Sequence, residues 1–180
     1  MLRSCTLTLI AMLGLGSAAR AHAAPVPAPS AIAVMGPLPQ LPADVSDLKF
    51  RELFTLPVGP RGLVPSARLM ALAGKRVRLI GYMAQQEDPV PGLFIFAALP
   101  VMLGDADDNL ADDLPPSSVF VHVTGHEGKV LPFFPGLLRL TGTLALGAFD
   151  EVDGHVSAVR LQLDPDLAVA MLERAAPASH

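Results

Sequence analysis

The sequence feature that most constrains the fold is the stretch Lys75–Met83, in which apolar and polar side chains largely alternate. Successive side chains of a strand point to opposite faces, so this pattern predicts a half-buried β-strand. A glycine inside a strand marks a bulge, a bend or a close backbone approach. We therefore predict that this strand opens a small barrel and bends at Gly81. The predicted faces are Val77, Leu79, Gly81 and Met83 on one side, and Arg76, Arg78, Ile80 and Tyr82 on the other.

Four more strands and three short helices are predicted around this strand. A turn signal at Asp153-Gly154 and the long connection Gly147–Gly154 predict a projecting hairpin between the last two strands. The order of elements predicts a mainly β fold, a five-stranded OB-like barrel with short flanking helices, with a strand-rich sandwich as the alternative. The strands are Leu93–Leu99, Ser118–Val123, Leu137–Leu146 and Val156–Leu163; the helices are Asp47–Phe54, one between Ser66 and Gly74, and one starting at Pro165.

Residues 1–23 have the pattern of a secretory signal peptide. Arg3 precedes the apolar run Cys5–Leu15, and Ala21-His22-Ala23 offers small residues at the cleavage site. The run is shorter than the roughly 20 residues that span a bilayer, so no stable membrane span is predicted. The protein is therefore predicted to be periplasmic or secreted. Cys5 is the one cysteine of the chain, so the mature protein is predicted to have neither a disulfide nor a catalytic thiol.

Residues 24–43 are rich in proline and alanine. This composition predicts an extended tether that buries little surface. The barrel domain is predicted to occupy residues 44–175, followed by a tail at residues 176–180. The chain has a net charge of −4, and loss of Arg3 and Arg20 with the signal makes it −6. An acidic chain argues against nucleic-acid binding, which needs a basic surface.

Candidate metal ligands lie close together in two places. His122 and His126 are four residues apart, with Glu127 beside the second, and these three residues are the candidate zinc site. The acidic run Asp105–Asp113 has the first spacings of a calcium loop but lacks its glycine and its final glutamate. Ordinary surface histidines and a solvated loop are the alternatives. The sequence has no catalytic signature, so we predict neither an enzyme nor a cofactor.

Aromatic side chains on the predicted strands are the candidate ligand-binding residues. They are Tyr82, Phe94, Phe96 and Phe120. OB-type barrels bind ligands with the face of their second and third strands and with adjacent loops. The expected partner is a protein or a small-molecule ligand of the cell envelope.

The stretch Leu69–Met83 combines a predicted helix, the run Leu-Ala-Gly-Lys-Arg-Val at residues 72–77 and a Gly-Tyr-Met end. In this it resembles an exported bacterial domain family of unknown function. Leu114–Val121 is similar to a later part of that family, and the resemblance covers Leu69–Leu146. The family's Cys-x-His motif is absent here, since Pro100–Asp113 holds a methionine and the acidic run instead. If that motif holds a metal, the resemblance implies that the ability is lost or altered in this chain.

Two functions remain open at this point. The first is an exported, non-enzymatic binding or adaptor module. The second is a periplasmic metal-handling accessory protein associated with a transporter, an association that only the resemblance implies.

Overall fold

The computed structural model describes residues 26–60, 62–104 and 114–175 of the chain. The predicted signal peptide, the acidic run Asp105–Asp113 and the predicted tail lie outside these described residues. Within them the fold is mainly β, with two α-helices, α1 (Ala67–Ala71) and α2 (Pro165–Ala175), and a short 3-10 helix at Phe50–Glu52. The strands are β1 (Val45–Asp47), β2 (Arg76–Met83), β3 (Gln85–Gln86), β4 (Leu93–Ala97), β5 (Met102–Leu103), β6 (Val119–His122), β7 (Leu138–Asp150) and β8 (Val156–Leu163).

Six of these strands form one mixed sheet in the order β1-β2-β4-β6-β8-β7. The pairs β1–β2 and β6–β8 are parallel, and the other neighbours are antiparallel. Strand β2 pairs with β7 through Arg76–Gly81 and with β4 through Tyr82 and Met83. The remaining strands, β3 and β5, form a short parallel pair. The prediction of a mainly β fold is confirmed.

The five predicted strands correspond to β2, β4, β6, β7 and β8. Strand β7 is longer than predicted, because it continues past an irregularity between Leu146 and Phe149 and pairs with β8 up to Asp150. The first half of the segment predicted to be a projecting hairpin, residues 147–150, therefore belongs to the sheet. The last residue before the turn, Glu151, is buried.

The predicted helix Asp47–Phe54 is wrong. Residues Val45–Asp47 form β1, which pairs with β2, and only Phe50–Glu52 has helical turns. The spacing of Leu48, Phe50 and Leu53 fits a helix, but pairing with a distant strand outweighs this local preference. All three side chains are nevertheless buried in the main core.

The main core lies between the sheet, α1 and α2. Alternate residues of β2, β7 and β8 enter it, as the period of two requires. Leu69 of α1 and Ala168 and Met171 of α2 are fully buried against them. A second, smaller cluster covers the other face of β4 and β6. Its buried members are Ala84, Leu93, Ile95, Leu103 and Phe120.

The first half of the predicted tether, residues 26–34, packs on the domain, whereas residues 35–40 are exposed. Ile32 is completely buried and belongs to the main core. Its carbonyl accepts a hydrogen bond from the backbone of Arg139, and Ala33 bridges Leu138. The proline and alanine content did not predict this packing. One large apolar residue, Ile32, holds the segment on the domain, because the backbone beside it also forms hydrogen bonds with Leu137 and Arg139.

The described residues include no helix that is both long and apolar enough to cross a membrane.

Candidate functional site

Three of the four candidate ligand-binding aromatics are core residues. Phe94 and Phe96 on β4 are 1% and 0% exposed and belong to the main core. Phe120 on β6 is 3% exposed and belongs to the second cluster. A ligand in solution has no access to these rings. Tyr82, the fourth candidate, is half-buried and lines a groove on the surface.

The groove beside Tyr82 has a volume of about 510 Å³. Three segments form it: the end of β2, the segment that leads into β5, and the turn before β7. Its lining is uncharged, with apolar, proline and amide groups. The lining residues are Tyr82, Met83, Gln85, Pro100, Val101, Met102, Phe133, Pro135 and Gly136.

Backbone pairing explains why β5 lies beside β3, which follows directly after β2. The amide of Gln85 donates to the carbonyl of Val101 at 2.9 Å, and Gln85 pairs with Met102 in the β3–β5 ladder. Strand alternation then buries Leu103 in the second cluster and leaves Met102 76% exposed. A methionine with this exposure presents a flexible, polarizable thioether chain that adapts to apolar surfaces.

A buried carboxylate, Glu151, is the centre of the main polar cluster in the described part of the chain. Its side chain is 1% exposed. It accepts hydrogen bonds from Arg160 Nε at 2.7 Å, from Arg160 Nη2 at 3.0 Å and from Ser157 Oγ. His122 Nε2 lies 3.0 Å from Glu151 Oε2. Because an ionised carboxylate only accepts hydrogen bonds, this histidine nitrogen carries a proton.

The partners of Glu151 decide its charge. Burial raises the pKa of the carboxyl, but the hydrogen bonds from Arg160 and Ser157 and the charges of His122 and Arg160 outweigh burial, so the pKa lies below its ordinary value. The guanidinium of Arg160 also lies over the ring of Phe149, with 4.2 Å from Cζ to the ring centroid. The cluster therefore ties β6, β8 and the end of β7 together by charge-assisted hydrogen bonds.

We expect Glu151→Gln to lower the free energy of unfolding by about 1–2 kcal/mol at neutral pH, because hydrogen bonds to a charged acceptor become hydrogen bonds to a neutral one. A lowered folded-state pKa stabilises the fold above the unfolded pKa of about 4.3. This contribution to stability is lost as the pH falls through the lowered pKa that Glu151 has in the folded protein. The difference between wild type and variant, measured by urea unfolding, should be constant at neutral pH and shrink below about pH 4.3.

Glu87→Gln is the matched control, because Glu87 is exposed. It should leave the unfolding free energy nearly unchanged at every pH. An equal loss in both variants would contradict a special role for the Glu151 carboxylate.

The candidate zinc ligands do not converge. His122 is engaged with Glu151, and Glu127 Oε1 accepts a hydrogen bond from the amide of Gly125 at 2.8 Å. That backbone hydrogen bond lowers the pKa of Glu127. In residues 26–60, 62–104 and 114–175, no group of three or more histidine, cysteine, aspartate or glutamate side chains is placed to hold a metal ion. His122, His126 and Glu127 therefore do not form the predicted site.

Sequence reasoning missed Glu151, Arg160 and most of the groove. Glu151 precedes a turn, where a charged residue ordinarily faces water, and nothing local marks it as buried. Met102 and Phe133 are far apart in the chain and belong to irregular segments between the predicted strands. The one local signal was Tyr82, since an aromatic residue on the polar face of an alternating strand is a candidate contact surface.

One solved structure is similar to this chain. It is a DUF3299 family protein from Pseudomonas aeruginosa PAO1, with 14% sequence identity and a TM-score of 0.38, over 65% of this chain and 91% of that chain. No protein-family model matches the chain, and no curated protein matches it.

Proposed function

We propose that this protein is an exported, non-enzymatic binding module that holds a small, uncharged, apolar molecule. The observation that carries this proposal is the groove at Tyr82, Met102 and Phe133. Its volume of about 510 Å³ falls within the range of roughly 300–1,000 Å³ that small-molecule sites occupy. Sites of this kind combine a mostly apolar lining with a few polar groups. Here the polar side chains of the lining are those of Tyr82, with its hydroxyl, and Gln85, with its carboxamide.

The chemistry of the lining supports an uncharged ligand. None of the described residues that line the groove carries a charge at neutral pH. A charged ligand would lose its hydration without gaining an ionic partner, and this loss is costly. The same lining favours binding over catalysis, because it offers no acid, base or nucleophile that is active near neutral pH.

An OB-like barrel is the architecture that we propose for the sheet. Strand β2 pairs with both β4 and β7, and the pairs β4–β6, β6–β8 and β8–β7 complete a cycle of five strands. The parallel pairing of the third and fifth of these strands, β6 and β8, supports this assignment. The groove then lies where the first barrel strand ends, next to the connection between the second and third. Export rests on the signal-peptide pattern of residues 1–23.

The proposal is tested with the neutral dye N-phenyl-1-naphthylamine, whose fluorescence rises in apolar sites. We expect saturable binding to the wild type and about tenfold weaker binding to Met102→Ser. Burying a side chain of this size contributes about 1.5–3 kcal/mol, and a methionine at the edge of the groove supplies part of that.

Met35→Ser is the matched control, since Met35 is 92% exposed and does not line the groove. It should bind the dye like the wild type. Equal thermal midpoints of the three proteins show that the fold is intact. Absence of saturable binding to the wild type, or equal loss in both variants, contradicts the proposal.

A further inference from the structure

A second cavity, of about 280 Å³, lies beside the 3-10 helix Phe50–Glu52 and shares no lining residue with the groove at Tyr82. Its apolar part consists of Leu48, Phe50, Ile80 and Ala98, with Leu38 at the edge. Leu48 and Phe50 are themselves held in the main core, which fixes the shape of the cavity. The other lining residues are charged: Asp47, Lys49 and Arg51.

The negative charge in this cavity is already neutralised. Both carboxylate oxygens of Asp47 accept hydrogen bonds from Arg78, Oδ1 from Nε at 2.6 Å and Oδ2 from Nη2 at 2.7 Å. Arg78 is buried, and its third contact is the carbonyl of Pro39 at 2.8 Å. This bidentate pair is therefore fixed in place, and Asp47 is not available to the other cations of the cavity.

Lys49 and Arg51 differ from Arg78 in that both are exposed and neither forms a salt bridge with any residue of the described ranges. The carboxylate of Glu52 accepts a hydrogen bond from the backbone amide of Lys49 at 3.0 Å. A further cation, Arg68, donates to the carbonyl of Asp47 at 2.9 Å. The lining itself thus holds two cations, Lys49 and Arg51, and one carboxylate, Asp47, which is paired with Arg78. This local positive excess occurs in a chain whose net charge is −4.

We propose that this cavity binds a small amphipathic carboxylate, such as a medium-chain fatty acid. The alkyl chain contacts Leu38, Ile80 and Ala98, the apolar lining residues that reach the surface. The carboxylate pairs with Lys49 and Arg51. A volume of about 280 Å³ is at the lower limit of small-molecule sites, so the ligand is short. The local positive excess selects an anion over a neutral or cationic molecule of the same length.

The two parts of the ligand contribute differently. Ion pairs at exposed positions are weak and are screened by salt. The apolar contacts therefore supply most of the affinity. Lys49 and Arg51 favour ligands whose head group is negatively charged. Binding should consequently weaken as the salt concentration rises.

Octanoate binding, measured by isothermal titration calorimetry at low ionic strength, tests this proposal. We expect octanoate to bind, octanol to bind about tenfold more weakly, and octylammonium to bind more weakly still. The variant K49Q/R51Q should lose about tenfold in octanoate affinity, a loss that corresponds to removal of two exposed ion pairs. Its affinity for octanol should not change.

The double variant K75Q/K129Q is the matched control, because both lysines are exposed and neither lines the cavity. It removes the same charge and should bind octanoate like the wild type. Met102→Ser should also leave octanoate binding unchanged, which separates this cavity from the groove of the proposed function. Equal loss in the two double variants, octylammonium binding as strong as octanoate binding, or no octanoate binding to the wild type would overturn the proposal.

Discussion

Replacing Gly81 by valine is expected to lower the free energy of unfolding by about 3 kcal/mol, at the upper end of the usual cost of overpacking. A Cβ atom at this position would lie 2.4 Å from the carbonyl oxygen of Ala97 and 2.6 Å from Cε2 of Phe50. The oxygen belongs to the backbone of β4 and cannot rotate away. The ring of Phe50 is packed against Phe96, with 5.7 Å between the ring centroids, so it cannot move without disturbing the core.

Gly128→Val is the control for this experiment. A Cβ atom there would meet nothing within 4 Å, and the backbone of Gly128 is outside the left-handed region. The unfolding free energies of both variants are measured by equilibrium unfolding in urea, with the same dependence on urea concentration used for both. A stability of Gly81→Val equal to that of Gly128→Val would mean that β4 does not approach β2 at this point, and would count against the barrel that we propose.

Strands were predictable from this sequence where alternation extends over several residues. β2, β8 and the first part of β7 bury every second side chain or nearly so, and a single sequence shows that period directly. The predicted start of the last helix at Pro165 agrees with α2, because Asp164 and Pro165 are local helix-start signals. Strand alternation and helix-start signals are set by residues that are adjacent in the sequence, so a single sequence contains them.

The candidate site was much less predictable, because it depends on contacts between distant segments. The groove needs β2, β5 and the segment around Phe133 to meet, and no local pattern specifies that meeting. The Glu151 cluster draws on three strands in the same way. Aromatic residues were a poor guide to binding, because a domain of this size uses its few large rings, such as Phe94 and Phe96, to fill the core.

The histidines illustrate the limit of reasoning from spacing. His122 and His126 are four residues apart, which places two side chains on one face only where the helix or strand that holds them is continuous. Here His122 ends β6, and the chain turns at Thr124-Gly125 before it reaches His126. The carboxylate that His122 contacts is instead that of Glu151, which is distant in sequence. Strand β8 brings the two together because it pairs with both β6 and β7.

The last expected result concerns the segment before the sheet. Ile32→Ala should lower the free energy of unfolding by about 3 kcal/mol, since removing a large aliphatic side chain from a core costs roughly 2–5 kcal/mol. Ile32 is 0% exposed, and its position is fixed from both sides. Its carbonyl accepts from the amide of Arg139 at 2.7 Å, and the amide of Val34 donates to the carbonyl of Leu137 at 2.9 Å. These hydrogen bonds leave the segment little freedom to fill the cavity that alanine creates.

Met35→Ala is the control, because Met35 belongs to the same segment and is 92% exposed. It should change the urea midpoint very little, whereas Ile32→Ala should shift it strongly. If both variants unfolded like the wild type, residues 26–43 would be the passive tether that their proline and alanine content suggests. A loss of stability in Ile32→Ala alone would instead show that this segment is part of the folding unit. The segment covers Leu138 of β7, which is completely buried and is bridged by Ala33.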